Sequence, residues 1–375
     1  MRIRKLSVVA VSAILLAAGV TTTGAAPEPK EIYLVKWVDS VNFENEIAAV
    51  KSGGNSVKAE YGNLFKGAAI EMNSAQAAAL ARNPRIEFVE QDALATKQQV
   101  VDTSLWGLDR IDQRTKTLNS AYNYATTGAG VKVYVVDSGI DVSLPEFGGR
   151  ATWGKNFTGD GINTDCDGHG THVAGTIGSN THGVAKSASL IAYKVLDCTG
   201  SGSYSGIISA LNDIAKSNSK PAVVNMSLGG PKSSAMTTAV ASLTKAGYVV
   251  VVAAGNNGAN ACNYSPASAP TAITVGASTI NDARASFSNF GKCLDLFAPG
   301  AAITSVLPGG TTASWDGTSM ASPHVAGVAA RILSQNPSLT PTQVASAITG
   351  EATPNLITSA GAQSPNRLLF RAEGN

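Results

Sequence analysis

The tightest constraint on the fold is Val131-Lys-Val-Tyr-Val-Val136, a nearly unbroken apolar run that stops on Asp137-Ser-Gly139. So short a run, rich in β-branched residues and closed by turn formers, reads as a strand. Ile191–Val195, Ala222–Met226 and Tyr248–Ala254 read the same way, with helices expected at Ile207–Lys216 and Met236–Ala246. Shorter strands are expected at Ala272–Val275 and Leu294–Phe297, and a last helix over Pro341–Ile348. Strands alternating with helices specify an α/β fold, a mostly parallel sheet covered on both faces. Such sheets bind ligands beyond the C-terminal ends of their strands. Asp137, the loop Ser227-Leu-Gly-Gly230 and Asn256 all fall at such ends and are expected to converge.

One helix begins with unusual chemistry. In Gly317-Thr-Ser-Met-Ala-Ser-Pro-His-Val-Ala-Gly327, Ser319 precedes the apolar run Ala321 to Leu333, and Pro323 fits a first helical turn. That places a hydroxyl among unpaired N–H groups at the positive end of a helix. Such a serine can attack a carbonyl whose developing oxyanion the backbone donors stabilise. On this segment alone a plain N-cap serine is the simpler reading, and the Gly-x-Ser-x-Gly elbow is not met.

A nucleophile needs a base and an acid to orient it. Of four histidines, His169 is flanked by glycines in Asp167-Gly-His-Gly-Thr-His-Val-Ala-Gly175, just before an expected helix, free to reach a cleft. His172 and His324 fall inside helices and read as structural, and His182 reads as a solvated loop residue. No Glu completes a zincin motif around the His169/His172 pair. Asp137, alone only a turn former, can hold a histidine in one tautomer.

The N-terminus is a different region. Arg2, Arg4 and Lys5, an apolar run from Leu6 to Val20 and the small residues Gly24-Ala-Ala26 form a secretory signal peptide over 1–26, cut near Ala25 or Ala26. The run is too short to span a bilayer, and no membrane anchor is expected. Residues 31–95 read as a separate small domain: strands at Glu31–Trp37, Phe65–Met72 and Ile86–Glu90, mixed signals from Ala48 to Lys58, and an Ala-rich helix over Ser74–Asn83. Gln91 to Thr103 is polar and reads as a linker. A net charge of +2 supports no nucleic-acid binding. Four cysteines in an exported chain suggest two disulfides, and no spacing supports zinc.

Together, Val-Val-Asp137-Ser-Gly, His169-Gly-Thr-His-Val-Ala-Gly and Gly-Thr-Ser319-Met-Ala-Ser-Pro resemble the three signatures of the subtilases, in the order Asp, His, Ser that distinguishes that family. The resemblance runs from about Trp106 to Leu369 and is nearest the proteinase K branch, in particular its aqualysin-like bacterial enzymes. It implies a subtilisin-like three-layer catalytic domain over 97–375, preceded by an inhibitor-type, ferredoxin-like α+β propeptide over 27–96. It implies a secreted, monomeric serine endopeptidase that acts on proteins and peptides through an acyl-enzyme and prefers apolar or aromatic residues before the scissile bond. Its own propeptide would be its first substrate and an intramolecular inhibitor, with Ala93-Leu-Ala-Thr96 in the cleft.

Residue by residue, the resemblance makes Asp137, His169 and Ser319 the triad and Asn256 the oxyanion donor. Ser227, Leu228 and Gly229 would wall the specificity pocket. Gly200, Ser201 and Gly202 would pair with substrate backbone, with Tyr204 and Ile207 farther along; without the resemblance these glycines read as turn residues. It pairs Cys166 with Cys198 and Cys262 with Cys293, each closing about thirty residues and worth about 3–4 kcal/mol in a chain-entropy model. It implies structural calcium, held by Asp295 with the carbonyls of Pro270 and Ala272, and by Asp109, Asp112, Gln113 and Asn119; solvated acids are the alternative at the second set. An esterase, or a binding relative without turnover, could carry the same letters.

Overall fold

The computed structural model describes residues 28–60, 66–91, 97–100 and 105–372. The signal peptide at 1–26 and the tail Ala93–Thr96 lie outside them. The chain divides into two compact units, Met1–Ala95 and Thr96–Asn375.

The first unit runs β1 (Glu31–Trp37), α1 (Phe43–Ser52), β2 (Ser56–Glu60), β3 (Gly67–Met72), α2 (Ser74–Leu80) and β4 (Ile86–Gln91). Its strands pair antiparallel in the order β2-β3-β1-β4, the ferredoxin-like arrangement expected. Alternate residues Val35, Trp37, Ile70 and Met72 point to one face and pack on Ile47, Val50 and Leu80 of the helices. Asn42 caps α1, and Asn73 with Gln76 forms a capping box on α2.

The second unit continues with β5 (Lys97–Val100), α3 (Trp106–Ile111), β6 (Ala121–Tyr124), β7 (Lys132–Asp137), β8 (Ala151–Asn156), α4 (His169–Gly178), β9 (Ser189–Lys194), α5 (Tyr204–Ser217), β10 (Ala222–Met226), β11 (Gly230–Pro231), α6 (Ser234–Lys245) and β12 (Val249–Ala253). It ends with β13 (Tyr264–Ser265), β14 (Ile273–Ser278), β15 (Leu296–Pro299), β16 (Ile303–Val306), β17 (Thr312–Trp315), α7 (Thr318–Gln335), α8 (Pro341–Glu351), β18 (Thr353–Pro354) and β19 (Arg367–Leu368). Nine strands form one sheet in the order β18-β19-β15-β14-β12-β10-β7-β9-β8, all parallel except the β18–β19 pair.

The period of two along each central strand builds the three layers. Val133 and Val135 of β7, Val223 of β10 and Val249 and Val251 of β12 enter the core shared with α4 and α7. Tyr134 and Val136, Val224 and Met226, and Val250 and Val252 enter the opposite core under α5 and α6. Asp137 is therefore the last residue of β7, Ser227 follows β10, and Asn256 lies three residues past β12, on three adjacent strands. One expectation fails. The polar stretch Gln91–Thr103 contains β5, which pairs antiparallel with β6 from Lys97↔Tyr124 to Val100↔Ala121. The backbone donors and acceptors of β6 are pairing partners whatever side chains the added strand carries.

Candidate active site

Asp137 is fully buried, and its Oδ1 accepts a hydrogen bond from His169 Nδ1 at 2.7 Å and from Ser138 N at 2.7 Å. The Oδ2 has no partner among the described atoms. His169 is the first residue of α4 rather than a residue before it. The cap residue, Gly168, has no side chain to offer, and Asp165 takes over that task. Its Oδ1 accepts from Gly168 N (2.8 Å), Asp167 N (3.1 Å) and Ser138 Oγ (2.9 Å), its Oδ2 from Thr171 N (2.8 Å) and Thr171 Oγ1 (2.6 Å). One buried carboxylate thus ties the residue after Asp137 to the turn that carries His169. Glycine at 170 is obligatory, since a Cβ there would lie 2.1 Å from Gly139 O.

The ring of His169 is 24 % exposed and lies 6.4 Å from Trp315, nearly parallel to it. Burial alone would lower its pKa, but the charge and hydrogen bond of Asp137, with the charges of Asp167 and Asp165, outweigh it and hold the pKa above 6.5. His172 stacks on Trp315 at 4.6 Å and bonds carbonyls of Ile303 and Ala313; burial pushes it down to about 4. His324 bonds Met320 O at 2.8 Å within its helix, and burial takes it to about 4 as well. Both are structural in position. His182 is not solvated as expected: it is buried, 4.0 Å from Glu146, because its turn tucks under the end of α4, with His182 N bonded to Ser179 Oγ.

Ser319 is the second residue of α7. Pro323 lies a turn deeper than expected, inside the helix. A proline there removes the donor that would bond the carbonyl four residues back, that of Ser319. Ser227 Oγ supplies the bond instead, at 2.8 Å. The chain of bonds continues inward, from Asn225 Nδ2 to Ser227 Oγ (3.0 Å) and from Ser322 Oγ to Asn225 Oδ1 (2.7 Å). The Ser319 hydroxyl donates to Ser227 O at 3.2 Å, and no hydrogen bond joins Ser319 to His169. Such bonds often close only when substrate is bound. Asn256 is anchored through its oxygen, which accepts from Thr318 N (2.8 Å) and Thr318 Oγ1 (2.9 Å), so its NH₂ remains available to the cleft.

Two cavities meet at the loop Leu228–Pro231. The first, about 580 Å³, contains Ser319, Thr318 and Asn256 and is walled by Leu228, Gly229, Gly230, Ala253 to Gly255 and Ala267. The second contains His169, Gly200, Ser201, Gly202, Tyr204, Ile207, Ser227, Leu228 and Gly229. Residues 201–203 belong to no strand. Gly202 is required by the chain itself, because a Cβ would meet Val195 O at 2.0 Å. The Tyr204 hydroxyl donates to Pro231 O at 2.7 Å, fastening α5 to the loop between the cavities. Disulfides join Cys166 to Cys198 and Cys262 to Cys293. The first links the His169 loop to the segment preceding Gly200.

The two acidic sets differ. Asp109 spends its oxygens on Asn119 N and Ser120 N, and Asn119 Oδ1 accepts from Ala121 N. Gln113 Nε2 donates to Thr117 O. Asp112 accepts from Asn123 N and Nδ2 on Oδ2 alone, leaving Oδ1 buried and unpartnered, and burial raises its pKa to about 6. Burial likewise raises Asp295, which accepts from Thr274 N at 2.8 Å, just beyond Pro270 and Ala272. The sequence reading passed over Asp165, Asp167, Ser138, Asn225 and Trp315. For Asp165 the signal was present, a carboxylate four residues before a glycine-flanked histidine at a helix start.

Residues 128–369 match the model of the Subtilase family, and residues 23–97 match that of peptidase inhibitor I9. An "Extracellular serine proteinase" of Thermus sp. is 51% identical over 320 residues, 84% of this chain and 78% of its own. A "Cuticle-degrading protease" of Metarhizium anisopliae is 42% identical over 349 residues, 90% of this chain and 89% of its own. The crystal structure of a cold-adapted subtilisin-like serine proteinase, 45% identical, superposes with a TM-score of 0.70 over 73% of this chain and 100% of its own. Three signatures around Asp137, His169 and Ser319, the nine-stranded sheet and these likenesses have one consequence: the chain belongs to the subtilase family of serine proteases, with an inhibitor-type propeptide at its N-terminus.

Proposed function

We propose that this protease is an endopeptidase in which Ser319 is the nucleophile, His169 the general base and Asp137 the group that orients and stabilises the imidazolium. The bond from His169 Nδ1 to Asp137 Oδ1 carries the reading, because it leaves Nε2 as the acceptor that faces the cleft. Ser319 turns from Ser227 O to Nε2, gives up its proton and attacks the carbonyl carbon. The tetrahedral oxygen receives the Ser319 N–H, an orphan of the first helical turn, and the free amide of Asn256. His169 then returns the proton to the leaving amine, and water repeats the sequence on the acyl-enzyme. The chamber beside Ser319 has Ala, Gly and Leu walls, and its one charge, Lys232, repels a basic side chain; apolar and aromatic residues fit before the scissile bond.

Residues 1–26 act as the signal peptide and 27–96 as the propeptide, removed by the enzyme itself between about Ala95 and Gln99 and inhibitory until digested. A relative named as extracellular supports export, and among the described residues no helix is long and apolar enough to cross a membrane. Calcium fits the set at Asp112, whose spare buried oxygen suits a hard cation; with Asp109, Gln113 and Asn119 it would be held there, and by Asp295 with Pro270 and Ala272 in the second place. Calcium held there would neutralise the buried carboxylate. A chelator should therefore lower the unfolding midpoint of the mature enzyme, and an unchanged midpoint counts against both sets. A fluorophosphonate tests the main reading: it should label Ser319 and stop peptide hydrolysis together. Labelling without any peptidase activity would favour an esterase, and no labelling an inactive relative.

A further inference from the structure

We infer that the end of the groove nearest His169 takes a cationic side chain, so that the enzyme favours lysine or arginine at the second residue before the scissile bond. The inference rests on the cleft being the peptide-binding site, as proposed above. In an extended peptide successive side chains point to opposite sides. The residue whose carbonyl is attacked fills the chamber beside Ser319. Its N-terminal neighbour then points the other way, into the groove where Asp167, His169 and Leu196 lie together. Two residues farther, about 6.6–6.8 Å along the strand, the same groove presents Tyr204 and Ile207.

Asp167 is the one carboxylate lining either cavity, as Lys232 is the one ammonium. Its Oδ1 accepts from His169 N at 3.2 Å, which holds the group in place. Its Oδ2 faces Gly200, 3.4 Å from where a Cβ of that residue would stand. Gly200 has φ +74°, a conformation that resists any larger residue, so the space between them stays open. No salt bridge engages Asp167 among the described residues. The nearby Lys194 is fully buried, donates to Ser138 O and Leu196 O, and forms an ion pair with Asp160 at 3.5 Å. A substrate lysine could lay its stem on Leu196 and bring its ammonium to Oδ2, satisfying a charge that the protein leaves exposed.

The test uses two peptides, both with phenylalanine before the scissile bond, that differ only in lysine or alanine one residue earlier. The readout is the ratio of their kcat/KM values on one enzyme preparation, so damage to turnover cancels. The lysine peptide should be favoured by about two- to fivefold at low salt, the range of an exposed ion pair. The ratio should fall toward one near 1 M salt, where the screening length is about 3 Å. It should also fall to one in Asp167→Asn, which keeps the shape and the bond to His169 N. A ratio of one in the unmodified enzyme, or a ratio untouched by salt and by Asp167→Asn, overturns the inference while leaving the protease assignment intact. Failure to cleave either peptide overturns both.

Discussion

The two halves of the active site are held by different physics. The histidine half is a cluster of charges: Asp137 and Asp165 are buried, Asp167 stands at the rim, and Lys194 lies beneath them. The serine half is held by neutral groups, a line of amides and hydroxyls from Ser322 through Asn225 and Ser227 to the backbone of Ser319. A charged cluster responds to pH and salt, whereas a neutral line responds to geometry. On the proposed mechanism, sensitivity to conditions therefore falls on His169 and constancy on Ser319.

Four measurements would break or sharpen that contrast. Ser319→Ala should remove proteolysis, by the roughly 10⁶-fold that the equivalent loss costs in subtilisin itself, and the precursor should stay at full length; wild-type cleavage of casein by this variant would end the assignment. Asn256→Ala, on the neutral half, should lower kcat by about 10²–10³-fold, again the size measured for subtilisin, with little change in KM. In the unmodified enzyme kcat/KM should rise with pH through the His169 pKa. Because that pKa is held above 6.5, the midpoint should lie on the alkaline side of an ordinary histidine, and a flat profile would contradict a histidine base. The same sign gives the linkage: the charged pair contributes stability below the unfolded pKa of histidine, and this is lost as pH rises through the folded value. The smallest effect separates the halves most cleanly. Asp165→Asn removes a charge that raises the His169 pKa, so its midpoint should move to lower pH, while Asn256→Ala leaves the midpoint in place. A shift in the second variant but not in the first would reverse the assignment of roles.

Much of this site was legible in the sequence because its letters are sterically forced. Gly170 admits no Cβ against Gly139 O, and the strand ending on Asp137 is apolar on both sides because both faces of the sheet are covered. Such constraints leave a spelling that pattern reading can recover. The supports were less legible because hydrogen-bond partners distant along the chain leave no local period. Asn225 reads as one polar residue in an apolar strand, and only the arrival of Ser322 explains it. His182 looked solvated because its neighbours are turn formers, yet its own side chain is buried. The strand at Lys97–Val100 escaped notice for a related reason, since its pairing is a matter of backbone and not of side-chain alternation.

Pro323 has a consequence for the order in which the molecule is assembled. An interior proline costs a helix about 3 kcal/mol or more when nothing replaces the missing bond. Here the replacement is a hydroxyl at the end of β10, nearly a hundred residues earlier in the chain, so the N-terminal turn of α7 cannot consolidate on its own. The part of the helix beyond Pro323 can form locally, but the turn that presents Ser319 is completed only once β10 has taken its place in the sheet. The turn that carries Ser319, the proposed nucleophile, thus takes its shape from a strand distant along the chain.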